Sequence, residues 1–172
     1  MNEQVILVDD NDLPTGQMEK MEAHEKGVLH RAFSVFIFNS NDELLLQQRA
    51  KSKYHSGGLW TNTCCSHPRW GENNLDAATR RLKEEMGMDC KLQYGFSFTY
   101  KAEFAEGLVE HEFDHVFFGF SDKLPEINKL EVESYKYISI EALKFQIKNS
   151  PDLFTPWLKI CLEMVIEARF LS

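Results

Sequence analysis

No C-x-x-C pair occurs among the four cysteines, Cys64, Cys65, Cys90 and Cys161, and two of them are adjacent. Vicinal disulfides are strained and rare, so all four read as reduced thiols of a cytoplasmic protein. No run of Lys or Arg is present, and the formal net charge is -8. A chain of that sign repels phosphate backbones and anionic lipid over most of its surface, so neither nucleic acid nor membrane is an expected partner. No apolar run approaches the roughly 18 residues of a membrane span. Met1–Asp10 lacks a basic stretch followed by an apolar one, so no signal peptide is expected. No repeat or low-complexity tract interrupts the 172 residues. That length suits one domain, 1–172, which folds without disulfides as a monomer or weak dimer. Hydrophobic residues make up 43% of the chain and 13 residues are Phe, a globular composition.

The apolar pattern predicts alternating strands and helices. Gln4–Asp9 is a short strand ended by turn chemistry over Asp10–Gly16. Glu19–Glu25 is a short polar helix closed by Gly27. Arg31–Asn39 is apolar on both faces from Val35 onward, as a central strand requires. Asn39–Asp42 turns the chain into a second strand, Glu43–Arg49. Ala50–Trp60 follows as a polar loop and Thr61–His67 as an extended stretch. Asn73 or Asn74 caps a helix to about Met86, with Leu75, Ala78, Leu82 and Met86 at 3-4-4 spacing and Gly87 as its stop. Leu92–Glu103 and Leu108–Phe120 pair as a hairpin, and Tyr135–Ile138 is a late strand. Glu141–Lys148 is a helix, and Thr155-Pro156 opens the last one. The expected fold class is α/β (α+β), a mixed β-sheet sandwiched between helices.

Ser66–Met88 reads SHPRWGENNLDAATRRLKEEMGM. Its spacing resembles the Nudix box, G-x5-E-x7-R-E-U-x-E-E-x-G-U with U apolar. Glu72 takes the early Glu, Arg80 the Arg, Leu82 the apolar position, Glu84 and Glu85 the paired acids, and Gly87 the late Gly. Such a loop-helix-loop sets carboxylates beside a diphosphate, with a divalent metal between them. Ser66 replaces the first Gly, and Arg81 stands where the first Glu of the R-E pair belongs. An Arg there removes a metal ligand, which weakens a hydrolase reading and leaves the fold reading intact. A plain surface helix with Arg80/Glu84 and Arg81/Glu85 pairs accounts for the same spacing.

Cys65 and His67 lie two apart in an extended stretch and project to one side, with Cys64 and Ser66 on the other. Glu110 and Glu112 stand in the same relation, with His111 and Phe113 facing away, and His24 and His30 flank Gly27. Three imidazoles and two carboxylates form a mixed N/O set suited to Mn2+, Mg2+ or Zn2+ with five or six ligands. Each has a plainer description: a loop His is usually solvated, and Glu110 and Glu112 fit the wet face of an edge strand. His55, His111 and His115 carry no further signal. Cys64, Cys90 and Cys161 read as small core residues, and Trp60 and Trp70 as packing.

Together these stretches resemble type I isopentenyl-diphosphate delta-isomerase, a family of the Nudix superfamily, over nearly the whole chain. The resemblance rests on Pro14-Thr15-Gly16, Glu19-Lys20, Arg49-Ala50-Lys51-Ser52-Lys53, the Arg80-Arg81 helix, Val109-Glu110-His111-Glu112 and Thr155-Pro156-Trp157. The most specific stretch is Trp60-Thr61-Asn62-Thr63-Cys64-Cys65-Ser66-His67-Pro68. The resemblance implies a Nudix-type sheet and interconversion of isopentenyl and dimethylallyl diphosphate, a prenyl diphosphate substrate. It implies one divalent ion, Mn2+, Mg2+ or Zn2+, on His24, His30, His67, Glu110 and Glu112. A Mg2+ bridging the diphosphate corresponds to Glu85, and anion-binding cations to Lys20, Arg49, Lys53 and Arg81. Cys65, Glu112, Tyr100 and Trp157 match the family's catalytic positions.

Moving a C=C by one carbon adds a proton at one carbon and removes one at another. An unpolarised alkene is a weak base, so the path needs a positioned acid, a positioned base and a dry pocket. Cys65 and Glu112, with Tyr100 as relay, supply the proton chemistry, and Trp157 offers a π face to the cation. Arg81 then has a purpose: the diphosphate is to be held and not cut. Two other expectations compete with this one, a Nudix diphosphate hydrolase and a metal-binding protein without catalysis.

Overall fold

A computed structural model describes residues 3–169. The chain opens with β1 (Gln4–Val8) and β2 (Pro14–Glu19), an antiparallel hairpin, followed by α1 (Lys20–Lys26). The Asp10–Gly16 stretch, expected as a turn alone, turns only as far as Leu13 and then pairs with β1. At the centre is β3 (His30–Phe38), whose residues are buried on both faces from Ala32 onward. It pairs in parallel with β8 (Val109–Phe120) along its whole length, from His30 opposite Glu112 to Phe38 opposite Phe120. Its other edge takes β1 at His30, β6 (Cys64–Ser66) at Phe33–Val35 and β4 (Glu43–Arg49) at Phe38. The remaining strands are β5 (Trp60–Thr61), β7 (Leu92–Glu103) and β9 (Val132–Ser139).

Alternation along β3 divides the core. Phe33, Val35 and Ile37 join α2 (Asn74–Met86) through Ala77, Ala78, Leu82 and Met86. Phe36 and Phe38 join the opposite layer, α3 (Ile140–Asn149) and α4 (Pro156–Arg169), through Leu143, Leu158, Cys161, Leu162 and Val165. Emptying a fully buried site such as Leu82 with Leu82→Ala costs about 2–5 kcal/mol. Asn73 caps α2 by accepting from the Asp76 amide at 2.9 Å, and Gly87 ends it with φ 62°.

Register also places chemistry. Glu112 stands opposite His30 on one side and Tyr100 on the other, and Ser34 stands opposite Cys65. A slip of one residue would turn Glu110 and Glu112 to the other face of the sheet. β8 lies between β3 and β7, so these two acids are not on an edge strand.

Candidate metal centre and active site

Glu19 starts α1 by accepting from the Glu22 amide at 2.9 Å, and Gly27 ends it in the left-handed conformation, φ 62°. The quick return into β3 brings His24 and His30 together, ring centroids 5.0 Å apart. His24 Nδ1 lies 2.6 Å from the Lys20 carbonyl and His30 Nδ1 2.8 Å from that of Val28. A carbonyl only accepts, so each ring carries its proton on Nδ1 and turns the Nε2 lone pair inward.

His67 Nε2 lies 3.0 Å from Glu112 Oε1, and His30 Nε2 lies 3.5 Å from the same oxygen. Donor atoms of His24, His30, His67 and Glu112 all fall within 4.8 Å of one another, and all four residues are buried. His24, His55 and Glu110 form a second group by the same measure. His30 Nε2, His55 Nε2 and His67 Nδ1 are buried without a hydrogen-bond partner. The orphaned nitrogens of His30 and His55 lie beside carboxylates, an arrangement that a divalent cation satisfies, so the donor set fits a metal.

Electrostatics agree with that chemistry at His24, His67 and Glu112, while at His30 and Glu110 the neighbouring charges favour the protonated form. Burial, then the neighbouring His67, hold His24 down to about 3, a neutral imidazole. Burial lowers His67 too, against the pull of Glu112. Burial also pushes His30 down, but the Glu112 carboxylate outweighs it and the ring ends above its ordinary value. For Glu112 itself the two imidazoles overcome burial and hold the carboxyl low. Glu110 is pushed up by burial and by the charge of Glu112. The Tyr100 hydroxyl stands 2.9 Å from Glu110 Oε2 and 2.6 Å from Glu112 Oε2, able to donate to either.

These groups open onto a cavity of about 590 Å³. Every expected site residue lines it except His24 and His30, which stand behind its wall. Cys64 is buried in the core under α2, so Cys65 faces the cavity. Burial pushes the Cys65 thiol up to about 12 although Arg49 pulls it down, so the sulfur carries a proton. Arg49 also lies 5.3 Å from the Trp157 ring, whose Nε1 donates to Asn62 Oδ1 at 3.2 Å. Lys20, Arg49, Lys53 and Arg81 bring four cations to this cavity of an acidic protein, and Glu3, Glu85 and Glu131 line it with them. Arg81 binds Glu85 at 2.6 Å and Glu84 at 2.8 Å, while Gln47 donates to Glu85 Oε2 at 2.9 Å. Arg80 clamps Glu72 through two bonds, 2.7 and 2.8 Å, holding the loop before α2.

Several residues enter the site without having been singled out. His55 Nε2 lies 2.9 Å from Glu110 Oε1. Tyr54 lies over Lys20 and its hydroxyl reaches to 3.5 Å from His24 Nε2. Glu131 pairs with Lys53 and lies 3.5 Å from Arg81, and Glu3 pairs with Lys20 at 2.9 Å. Gly57 permits the fold of this loop, since a Cβ there would meet the Lys51 carbonyl at 2.7 Å. The one sequence hint was the crowding of cations and aromatics in Arg49–His55; Glu131 and Glu3 had none.

Residues 28–158 match the NUDIX domain family, so the chain is a NUDIX-domain protein. It is 52% identical over 172 residues to isopentenyl-diphosphate Delta-isomerase 2 of Aromatoleum aromaticum, covering all of this chain and 91% of that one. It is 57% identical over 157 residues to isopentenyl-diphosphate Delta-isomerase of Pectobacterium atrosepticum, covering 91% and 88%. The chain belongs to the isopentenyl-diphosphate Delta-isomerase family. Solved structures share the fold: a Deinococcus radiodurans protein at TM-score 0.72 and 22% identity, covering 86% of this chain and 90% of that one. A MutT NUDIX hydrolase from Burkholderia pseudomallei has TM-score 0.59 at 18% identity, covering 78% and 96%.

Proposed function

We propose that this protein interconverts isopentenyl and dimethylallyl diphosphate through two proton-handling groups, the Cys65 thiol and the Tyr100/Glu112 pair. One group gives a proton to the terminal methylene carbon, leaving a tertiary cation. The other takes a proton from the carbon two bonds from the ester oxygen, and the double bond closes there. In the reverse direction the roles exchange. The observation that carries this reading is that Cys65, Tyr100 and Glu112 line one cavity together with Lys20, Arg49, Lys53 and Arg81.

Trp157, oriented by Asn62, presents a π face to the cation, a contact on the order of 2 kcal/mol when desolvated. Lys20, Arg49, Lys53 and Arg81 hold the diphosphate by charge-assisted bonds. They release Glu3 and Glu131 as they do so. His24, His30, His67, Glu110 and Glu112 would hold one Mn2+, Mg2+ or Zn2+, and Glu85 would offer a carboxylate to a Mg2+ that accompanies the diphosphate. Such an ion supplies fixed positive charge that keeps two adjacent carboxylates ionised and oriented.

Arg81 argues against the hydrolase alternative. It replaces an acid of the box with a cation tied to Glu84 and Glu85. A single domain over 1–172, cytoplasmic and monomeric or weakly dimeric, completes the proposal. Among the described residues no helix is long and apolar enough to cross a membrane. The test is conversion of isopentenyl diphosphate before and after chelation, with elemental analysis of the same sample. Activity that survives complete loss of divalent metal overturns the metal assignment.

A further inference from the structure

We propose that His55 supplies a fourth imidazole to the ion held by His24, His30, His67, Glu110 and Glu112. This rests on the metal-centre reading given above and enlarges its donor set.

His55 comes from the loop between β4 and β5, which none of the other donors shares. The loop is anchored: the Ala50 amide donates to the Glu131 carbonyl at 3.0 Å, and Arg49 donates to the His55 carbonyl at 3.3 Å. The ring stacks on Phe104 at 4.5 Å and 17°, and meets the edge of Trp157 at 6.0 Å. Its Nδ1 lies 3.3 Å from the Ser56 hydroxyl, which directs Nε2 inward. That nitrogen is buried and makes no hydrogen bond, although Glu110 Oε1 is only 2.9 Å away. A buried imidazole nitrogen without a hydrogen-bond partner, facing a carboxylate, is an open ligand position.

The two donor groups meet at one shared ring. His24 belongs to both, and its Nδ1 is engaged by the Lys20 carbonyl. One inward lone pair serves one ion. His55 and Glu110 therefore complete the coordination of the ion bound by the first group. A fourth imidazole in place of water shifts the site's preference away from Mg2+, an oxygen-seeking ion, and toward Mn2+ or Zn2+.

The test uses Mn2+ and the full chain. Titration calorimetry gives affinity, and pulsed EPR of the Mn2+-loaded protein counts coupled imidazole nitrogens. Expected are one equivalent of Mn2+ and four coupled nitrogens. His55→Ala and His55→Gln should each lose one nitrogen and bind at least about 100-fold more weakly, since even outer-shell partners of a ligand are worth 10–100-fold. Three nitrogens in the native protein, or an unchanged count in either folded variant, would overturn the proposal while leaving the metal centre standing. Absence of Mn2+ binding by the native protein would instead overturn the centre itself. If both variants fail to fold, the native nitrogen count decides alone.

Discussion

The Tyr100 hydroxyl lies 2.6 Å from Glu112 Oε2, and the same hydroxyl lies 2.9 Å from Glu110 Oε2. One proton thus stands between two buried acids whose charges repel. Tyr100→Phe removes the donor and leaves both carboxylates short of a partner. Turnover should fall about 10²-fold or more, the scale of general acid–base contributions. The metal-free protein should lose about 1–3 kcal/mol of stability, read by urea unfolding. Undiminished turnover would take the hydroxyl out of the proton path.

Cys65 should behave as a thiol across the working range. Its proton is held up to about 12 by burial, so little thiolate exists at neutral pH. Alkylation at Cys65, followed by peptide mass, should be slow at pH 8 and rise only in strong alkali. Cys65→Ala should lower turnover about 10²–10⁴-fold with the fold intact. Rapid labelling near pH 8 would place the sulfur in a different environment.

Acid should destabilise the metal-free protein through its buried imidazoles. His24 and His55 are each held from 6.5 down to about 3, by burial first, then by His67 and Arg49 respectively. Unfolded chains take up these protons as pH falls below about 6.5, while the folded rings stay neutral. Their contribution is therefore complete above pH 6.5 and is lost progressively toward pH 3. Each ring contributes a slope of up to about 1.4 kcal/mol per pH unit. His30, shifted the other way by Glu112, partly offsets this. Urea midpoints at pH 7 and pH 5 should differ accordingly; equal midpoints would show that these rings are accessible to solvent protons.

Arg81→Glu restores the acid of the Nudix box. It also breaks the 2.6 Å contact with Glu85 and removes one cation from the cavity mouth. Charge-assisted bonds are worth about 1.5–3 kcal/mol. KM for isopentenyl diphosphate should therefore rise on the order of 10–100-fold. An unchanged KM would show that Arg81 serves α2 and not the diphosphate.

How far the sequence reveals this arrangement depends on range. β3 was legible because a central strand must be apolar on both faces, and α2 because Asn73 and Gly87 mark its ends. The pairs Cys65/His67 and Glu110/Glu112 were legible because strand alternation puts residues two apart on one side. β2 was not: Pro14, Thr15 and Gly16 look like turn, and only pairing with β1 makes them a strand. His55 was hidden for a similar reason. Its loop takes its shape from distant contacts, the Glu131 carbonyl and the Phe104 ring, which local pattern does not encode. Glu3 and Glu131 come from distant parts of the chain to pair with neighbouring cations of the cavity, Lys20 and Lys53 respectively.

The most direct measurement is proton NMR of isopentenyl diphosphate incubated in D2O with the Mn2+- and Mg2+-loaded protein. Migration of the alkene to the inner position, with solvent deuterium in the new methyl group and the diphosphate intact, is the expected outcome. Liberated phosphate with an unmoved alkene would contradict it and identify a hydrolase.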